Sequence, residues 1–511
     1  MKSIRLAVSA SLLKIFFVLI LLGFPAGGLF AQKTVTINTG NANATVYVDK
    51  EEAGKGSSFT AQIAKQGVKQ VMTRIPGYKD SYSAIVQLDK VINLKSDDKL
   101  VNRGTGDKFI EISNIGLDLK DKKNIKSYTV SYSSTTLMED IDAAEKKKEN
   151  SENKAEMEKA KKKGTKNQLV DESETDNLSY DDTKFSANVY KTLKMTGFID
   201  TVNRVFADNN NTLVLEGTIK KIFIYNITSG YSYYCKSKLF LTWYIKNAYN
   251  EILDSVDTKE YSGDFVIGNG NNSDHTYEKM YGDAVDISYL RLHKDGRLAK
   301  YIKLETNFAC ADPMLSLPVV KSAVAERGDA SVPSVIIKTK DGHGSGFAIT
   351  QDGYIITNYH VVAGKYKGKL NSVKVVTSSG DELPGTIVRY NKARDLALIK
   401  VDHKFEKAFK VSNVKSFKNL MDIYTIGAPK SIELGQSFSS GILSSERKSN
   451  NNDLLQLGMS VNGGNSGGPV FDTNGNLHGV IVSKLIGNNT EGVSFAIPGY
   501  LIGEYLNIQY K

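Results

Sequence analysis

Val35 and Ile37 alternate with threonines, and Thr45-Val46-Tyr47-Val48 runs into an acidic, glycine-bearing turn. Period-two patterning broken by turns at short intervals predicts strands. Residues 32–95 therefore read as a small all-β domain, and 96–138 as a connecting β segment. From 139 to 180 the pattern collapses. Lys146-Lys147-Lys148 and Lys161-Lys162-Lys163 are interleaved with glutamates, leaving almost nothing to bury, so this stretch reads as a charged linker. Folded patterning returns over 181–312. Thr212-Leu213-Val214-Leu215 and Lys238-Leu239-Phe240-Leu241-Thr242-Trp243-Tyr244 are strand-like, whereas Tyr277–Leu304 carries helical spacing, so an α+β domain is expected. Tyr225, Tyr231, Tyr233 and Tyr234 cluster beside Trp243 here, either as a ligand platform or, more commonly, as a sheet face packed on its core. A linker punctuated by Pro313, Pro318 and Pro333 spans 313–332. Beyond it, over 333–511, short strands alternate with turns such as Gln351-Asp352-Gly353 and Asn474-Gly475, which predicts an all-β barrel domain.

The chain has 511 residues, enough for two to four domains. Its net charge is +10, yet the lysines are mixed with acids and form no basic stripe interleaved with aromatics. Nucleic-acid binding is not expected. Lys2 and Arg5 precede the apolar run Ile15–Phe24, and small residues follow up to Ala31. Residues 1–31 read as a secretory signal peptide, with no lipid-anchor cysteine and no later membrane-spanning segment. A periplasmic or secreted location follows. Cys235 and Cys310 are the only cysteines. An oxidising compartment permits one disulfide between them, and two buried free thiols fit as well.

The candidate chemistry lies in the last third. Gly464-Asn465-Ser466-Gly467-Gly468-Pro469 places a serine on a glycine-flanked turn that exposes a hydroxyl and lets backbone N–H groups converge. Thr357-Asn358-Tyr359-His360 sets a histidine just after an apolar strand, and Ala393-Arg394-Asp395-Leu396 sets an aspartate at the start of another. A serine is a weak nucleophile unless a base takes its proton, and the base needs a carboxylate to fix its tautomer. Ser466, His360 and Asp395 supply those three roles. No motif calls for a cofactor or a metal.

These segments, together with Gly344-Ser345-Gly346-Phe347, Ile426-Gly427-Ala428-Pro429, Ser440-Gly441-Ile442-Leu443-Ser444 and Gly492-Val493-Ser494-Phe495-Ala496-Ile497-Pro498, resemble the trypsin-like serine proteases, and most closely their bacterial HtrA/Deg branch. The resemblance covers about 333–511. It implies two packed six-stranded barrels with the site between them. It also implies an oxyanion hole from the N–H groups of Gly464 and Ser466. A substrate pocket is implied at Ser460, Val461, Val482 and Ser483, with Met459 adding apolar character. Neutral Ser460 disfavours a basic residue before the cleaved bond. Asn465 replaces the aspartate of zymogen-type relatives, so activation by clipping near Ser334 is not expected. The PDZ domains usual in HtrA proteins are not expected after the barrels. Ala44–Lys50, with Ile75-Pro76-Gly77-Tyr78-Lys79, resembles a PEGA-type β domain. The expected function is a secreted or periplasmic serine endopeptidase acting on extended or misfolded exported polypeptides. The competing reading is a non-enzymatic envelope scaffold with a protease-like fold. Control would fall to homo-oligomerisation or to the N-terminal domains, which are expected to bind an envelope component and to be dispensable for bond cleavage.

Overall fold

The computed structural model describes residues 32–64, 67–86, 89–94, 96–118, 125–131, 170–171, 182–201, 210–229, 232–267, 273–428, 431, 433, 435–449, 452–482 and 492–511. The signal-peptide reading and nearly all of the charged linker fall outside them. No helix among the described residues is long and apolar enough to cross a membrane.

The first unit is built from two small sheets. Ser58–Ala64, Gln32–Asn38 and Val91–Asn93 form one; Glu51–Lys55, Thr45–Val48, Lys69–Arg74 and Ser81–Ile85 form the other. The alternation that predicted strands puts Val35, Ile37, Val46, Ile63 and Val71 into a shared core.

The second unit is a sheet with seven strands among the described residues. Its centre is the long antiparallel pair Thr212–Ser229 and Ser232–Asn247, continued by Ile252–Tyr261. Phe109–Leu117 and Ile125–Ser131 pair in parallel with Thr212–Ser229, and Val170–Asp171 pairs with Ile125–Ser131. Strands read as a connecting segment, and two residues read as linker, are thus part of the central sheet. Helices Asp182–Met195 and Ser273–Asp295 cover one face, around fully buried Trp243. On another part of the sheet, Phe223, Tyr225, Ile227 and Tyr234 meet Val68 and Val86 of the first unit. Tyr225 and Trp243 are therefore packing residues rather than a ligand platform. Tyr231 lies outside the described residues. Cys235 and Cys310 are separate free thiols, so the disulfide considered for them is not formed. Burial pushes the Cys235 thiol up to about 12, which leaves it inert as a nucleophile.

The last unit contains two closed six-stranded barrels. The first runs through Ser334–Thr339, Gly342–Ala348, Tyr354–Thr357, Val373–Val376, Glu382–Asn391 and Leu396–Lys400. The second runs through Asp422–Gly427, Ser437–Ser449, Asn452–Gly458, Pro469–Phe471, Leu477–Val482 and Ser494–Pro498. Each has its own apolar filling, and a third cluster including Phe347, Phe409, Ile426, Phe471 and Val480 joins the two. Leu315–Leu317, inside the expected linker, pairs with the C-terminal strand Ile508–Tyr510, so this stretch is integral to the barrel unit.

The first two units are joined by polar ties as well as by packing. Lys79 pairs with Asp283 on helix Ser273–Asp295, and the Gln70 side chain bonds the backbone of Asp264 and Val266 at 2.9 Å each. Beside that pair Asp286 is buried and accepts a hydrogen bond from Thr192 Oγ1 at 3.0 Å. Burial pushes its carboxyl up to about 7, against the attraction of Lys79. The folded-state value lies above the unfolded one, so this group's contribution to stability is complete at acid pH and is lost as pH rises through about 7. Asp286→Asn removes that loss. The difference in melting temperature, variant minus wild type, is expected to be more positive at pH 8 than at pH 5 in calorimetry of the full chain. An equal difference at both pH values would show that Asp286 titrates normally.

Candidate active site

Strand Tyr354–Thr357 ends against Leu396–Lys400, with Thr357 opposite Ala397. His360 follows the first strand on the short helix Tyr359–Val362, and Asp395 immediately precedes the second. This shared end of one ladder brings the two side chains together. His360 Nδ1 donates to Asp395 Oδ2 at 2.8 Å, and the His360 backbone N–H donates to Asp395 Oδ1 at 3.0 Å. The second bond also satisfies an N–H that a helix start leaves without an intrahelical partner. Both carboxylate oxygens are thereby engaged. The Asp395 side chain is 6% exposed and that of His360 20%.

Asp395 has φ +52°, in the left-handed region. That conformation costs a non-glycine residue about 1–3 kcal/mol and persists only where its surroundings enforce it. The enforcement is visible. Asn358, fully buried, donates from Nδ2 to the Asp395 carbonyl at 2.9 Å, and Asn391 Oδ1 accepts from Arg394 N at 3.1 Å.

Ser466 comes from the second barrel and is 4% exposed. Its turn lies against the first barrel because its neighbours are glycines. A Cβ on Gly467 would stand 2.3 Å from the Ser345 carbonyl oxygen and 3.0 Å from the Asn358 nitrogen. Gly344 is wedged between Val361 and the Ser466 carbonyl; a Cβ there would come within 2.6 Å of Val361 and 3.2 Å of that oxygen. Ser345 N donates to the Ser466 carbonyl at 2.7 Å, and Ser345 Oγ donates to the Gly464 carbonyl at 2.7 Å. Gly464 has φ +97°, and a Cβ on it would meet the Ala428 carbonyl oxygen at 2.1 Å. Its carbonyl is turned to Ser345, and no acceptor among the described residues takes its N–H.

The expected pocket residues differ in burial. Ser460 is exposed. Val461 packs on the filling of the second barrel, and Val482 on the cluster shared by both barrels. Met459, expected to lend apolar character to the pocket, is instead buried inside the second barrel. Ser483 lies outside the described residues.

Three residues near the site carried no role in the sequence reading. Ser345 sits inside a quoted glycine motif but gave no sign that its hydroxyl anchors the serine turn. Asn358, which precedes Tyr359 and His360, was equally silent. Tyr249 belongs to the central unit, and its ring stacks on His360 with centroids 5.6 Å apart and planes at 24°. It also meets Tyr359 edge-on at 6.3 Å. Burial, with Glu251 nearby, pushes the Tyr359 phenol well above its ordinary value. The central unit, expected to be dispensable for bond cleavage, is therefore in direct contact with the candidate site.

Residues 344–480 match the family description Trypsin-like peptidase domain. The probable periplasmic serine endoprotease DegP-like of Rhizobium meliloti (strain 1021) is 36% identical over 162 residues, which cover 30% of this chain and 31% of that protein. The magnetosome formation protease MamE of Magnetospirillum gryphiswaldense is 34% identical over 166 residues, covering 30% and 21% respectively. An HtrA-type protease AlgW with tripeptide shares 30% identity over 34% of this chain and 57% of its own, at a TM-score of 0.30. The chain spans about a third or less of the length of these curated relatives. Within it, residues 344–480 are similar to the trypsin-like peptidase domain, and the double-barrel region is similar to proteins described as DegP-like serine endoproteases.

Proposed function

We propose that the protein is a serine endopeptidase that hydrolyses polypeptides in an extended or unfolded state, in the periplasm or outside the cell. The observation that carries this reading is the doubly bonded His360–Asp395 pair, held in a strained loop beside a glycine-lined serine turn. Strain maintained by so many partners is characteristic of functional sites. In this reading an ionised Asp395 accepts from Nδ1, so the proton sits there and Nε2 is left as the base. Nε2 takes the Ser466 hydroxyl proton as the oxygen attacks the scissile carbonyl, then returns it to the leaving amine. Asp395 stabilises the imidazolium in between. The N–H groups of Gly464 and Ser466 receive the developing oxyanion, in keeping with a Gly464 N–H that no acceptor among the described residues takes. The similarity to a protein described as a probable periplasmic serine endoprotease supports the same chemistry and compartment. The N-terminal β unit, with its PEGA-like sequence, is read as an envelope accessory module.

Three substitutions test the assignment. Ser466→Ala is expected to abolish cleavage of unfolded casein and labelling by a fluorophosphonate probe while leaving the melting temperature unchanged; persistent labelling would sink the Ser466 assignment. Asp395→Asn is expected to lower kcat about 10,000-fold, the scale for a triad whose histidine loses its tautomer. A near-normal rate would mean that another group orients His360. For Gly464→Ala the expected loss in kcat is about 100- to 1000-fold, because its amide is re-aimed. Gly463→Ala is the control, since a Cβ there meets nothing within 4 Å. Equal rates for the two alanine variants would remove Gly464 from the oxyanion hole.

A further inference from the structure

We propose that the turn Asn247–Glu251 of the central unit is a built-in part of the active site, with Tyr249 as a positioning residue that holds the His360 imidazole. The inference rests on the reading of His360 as the general base.

The turn is rigid in its own right. Asn247 is buried, and its Oδ1 accepts from the backbone N–H of Tyr249 and of Glu251, each at 3.0 Å. Its Nδ2 donates to Glu251 Oε2 at 2.7 Å. Asn250 takes the left-handed conformation at φ +67° that closes the turn.

This preformed turn is fastened to the two loops that carry His360 and Asp395. After the histidine helix, Ile252 N donates to the Lys365 carbonyl at 2.8 Å, and Lys367 N donates to the Ile252 carbonyl at 3.0 Å. Glu251 Oε1 accepts from Gly368 N at 3.1 Å. On the aspartate side, Glu251 Oε2 accepts from Lys392 Nζ at 2.7 Å; elsewhere in the central unit, Asn210 Nδ2 donates to the Ala393 carbonyl at 3.0 Å. Glu251 is 1% exposed, so its charge is committed to these partners.

Between these fastenings lies Tyr249. Asp395 fixes one edge of the imidazole but leaves the ring free to tip out of the plane that aims Nε2. A near-parallel aromatic face on one side removes that freedom, and a π-face also favours the imidazolium formed during turnover. His360 still keeps 20% of its side-chain surface open, so the stack supports the ring without sealing it. Misplacement of a catalytic group by a fraction of a bond length lowers turnover rather than substrate binding.

The test uses the full chain with Tyr249→Ala, Tyr249→Leu and Tyr249→Phe. Steady-state cleavage of a peptide gives kcat and KM, and proton NMR follows the downfield Nδ1–H of His360, assigned by its loss in His360→Ala. Tyr249→Ala is expected to lower kcat on the order of tenfold with KM within about twofold, and to broaden that resonance. Tyr249→Leu, which fills the space without an aromatic face, behaves the same way and stands in if the alanine variant fails to fold. Tyr249→Phe recovers most of the loss. Unchanged kcat and a sharp resonance in Tyr249→Leu would overturn the proposal, and so would a rise in kcat, which would make the turn a cap. A wild-type chain inert toward peptide and fluorophosphonate would instead refute the protease reading, and the NMR comparison would still decide whether Tyr249 holds the ring.

Discussion

The candidate site depends on one carboxylate. Asp395 takes two hydrogen bonds from His360, one from the ring and one from the backbone, and so ties two loops of the first barrel into a single rigid piece. Register makes this feasible. With Thr357 opposite Ala397, His360 and Asp395 emerge at the same end of adjacent strands. A slip of two residues would carry them apart by roughly 7 Å, and a slip of one would turn alternate side chains to the wrong face. The apolar filling of Val335, Ile337, Ile355, Ala397 and Ile399 resists both, because each would expose core residues. The hydrophobic pattern that closes the barrel is therefore also what sets the geometry of the polar pair.

The serine faces a different requirement, since it arrives from the other barrel. Its turn reaches the first barrel only because Gly344, Gly464 and Gly467 leave no side chains in the gap. Ser345 then replaces the missing packing with directed bonds: its N–H holds the Ser466 carbonyl and its hydroxyl holds the Gly464 carbonyl. Turning the Gly464 carbonyl toward Ser345 points this part of the backbone in one direction, and an oxyanion hole needs that orientation settled before substrate arrives.

What the sequence revealed and what it hid divide along a physical line. The pairing of His360 with Asp395 and the glycine-lined turn at Ser466 were legible because strand-ending turns and a glycine-rich loop are local features. The strands of the small β unit were legible because period-two alternation reports burial. Alternation does not report partners, however. Phe109–Leu117 and Ile125–Ser131 look like strands anywhere, and nothing local says that they pair across the charged stretch with Thr212–Ser229. Met459 shows the same limit: an apolar residue near a pocket motif and one inside a barrel have the same composition. Tyr249 is the extreme case. Its contact with His360 spans 111 positions and rests on the relative placement of two folded units, which no window of sequence encodes.

That placement is not loosely held. Glu251 is a carboxylate with almost no exposed surface, satisfied by Asn247, Gly368 and Lys392. Two of those three donors belong to the barrel unit. Undocking the central unit would strip them away and leave a charge facing apolar surroundings, and breaking a buried pair costs about 3–5 kcal/mol. Water would solvate the freed group in the undocked state and return part of that figure, so the net tie is smaller. Even so, Ile252, Asn210 and Tyr249 contribute through separate contacts on the same surface. The first unit is fastened in turn to the central one by Lys79–Asp283 and by Gln70. A continuous series of polar ties thus runs from the N-terminal β unit to the loop that holds Asp395. Anything that displaced the first unit on the central sheet would act on the same helix-backed framework that supports Tyr249 and Glu251, so the first unit and the loops that carry His360 and Asp395 share one mechanical support.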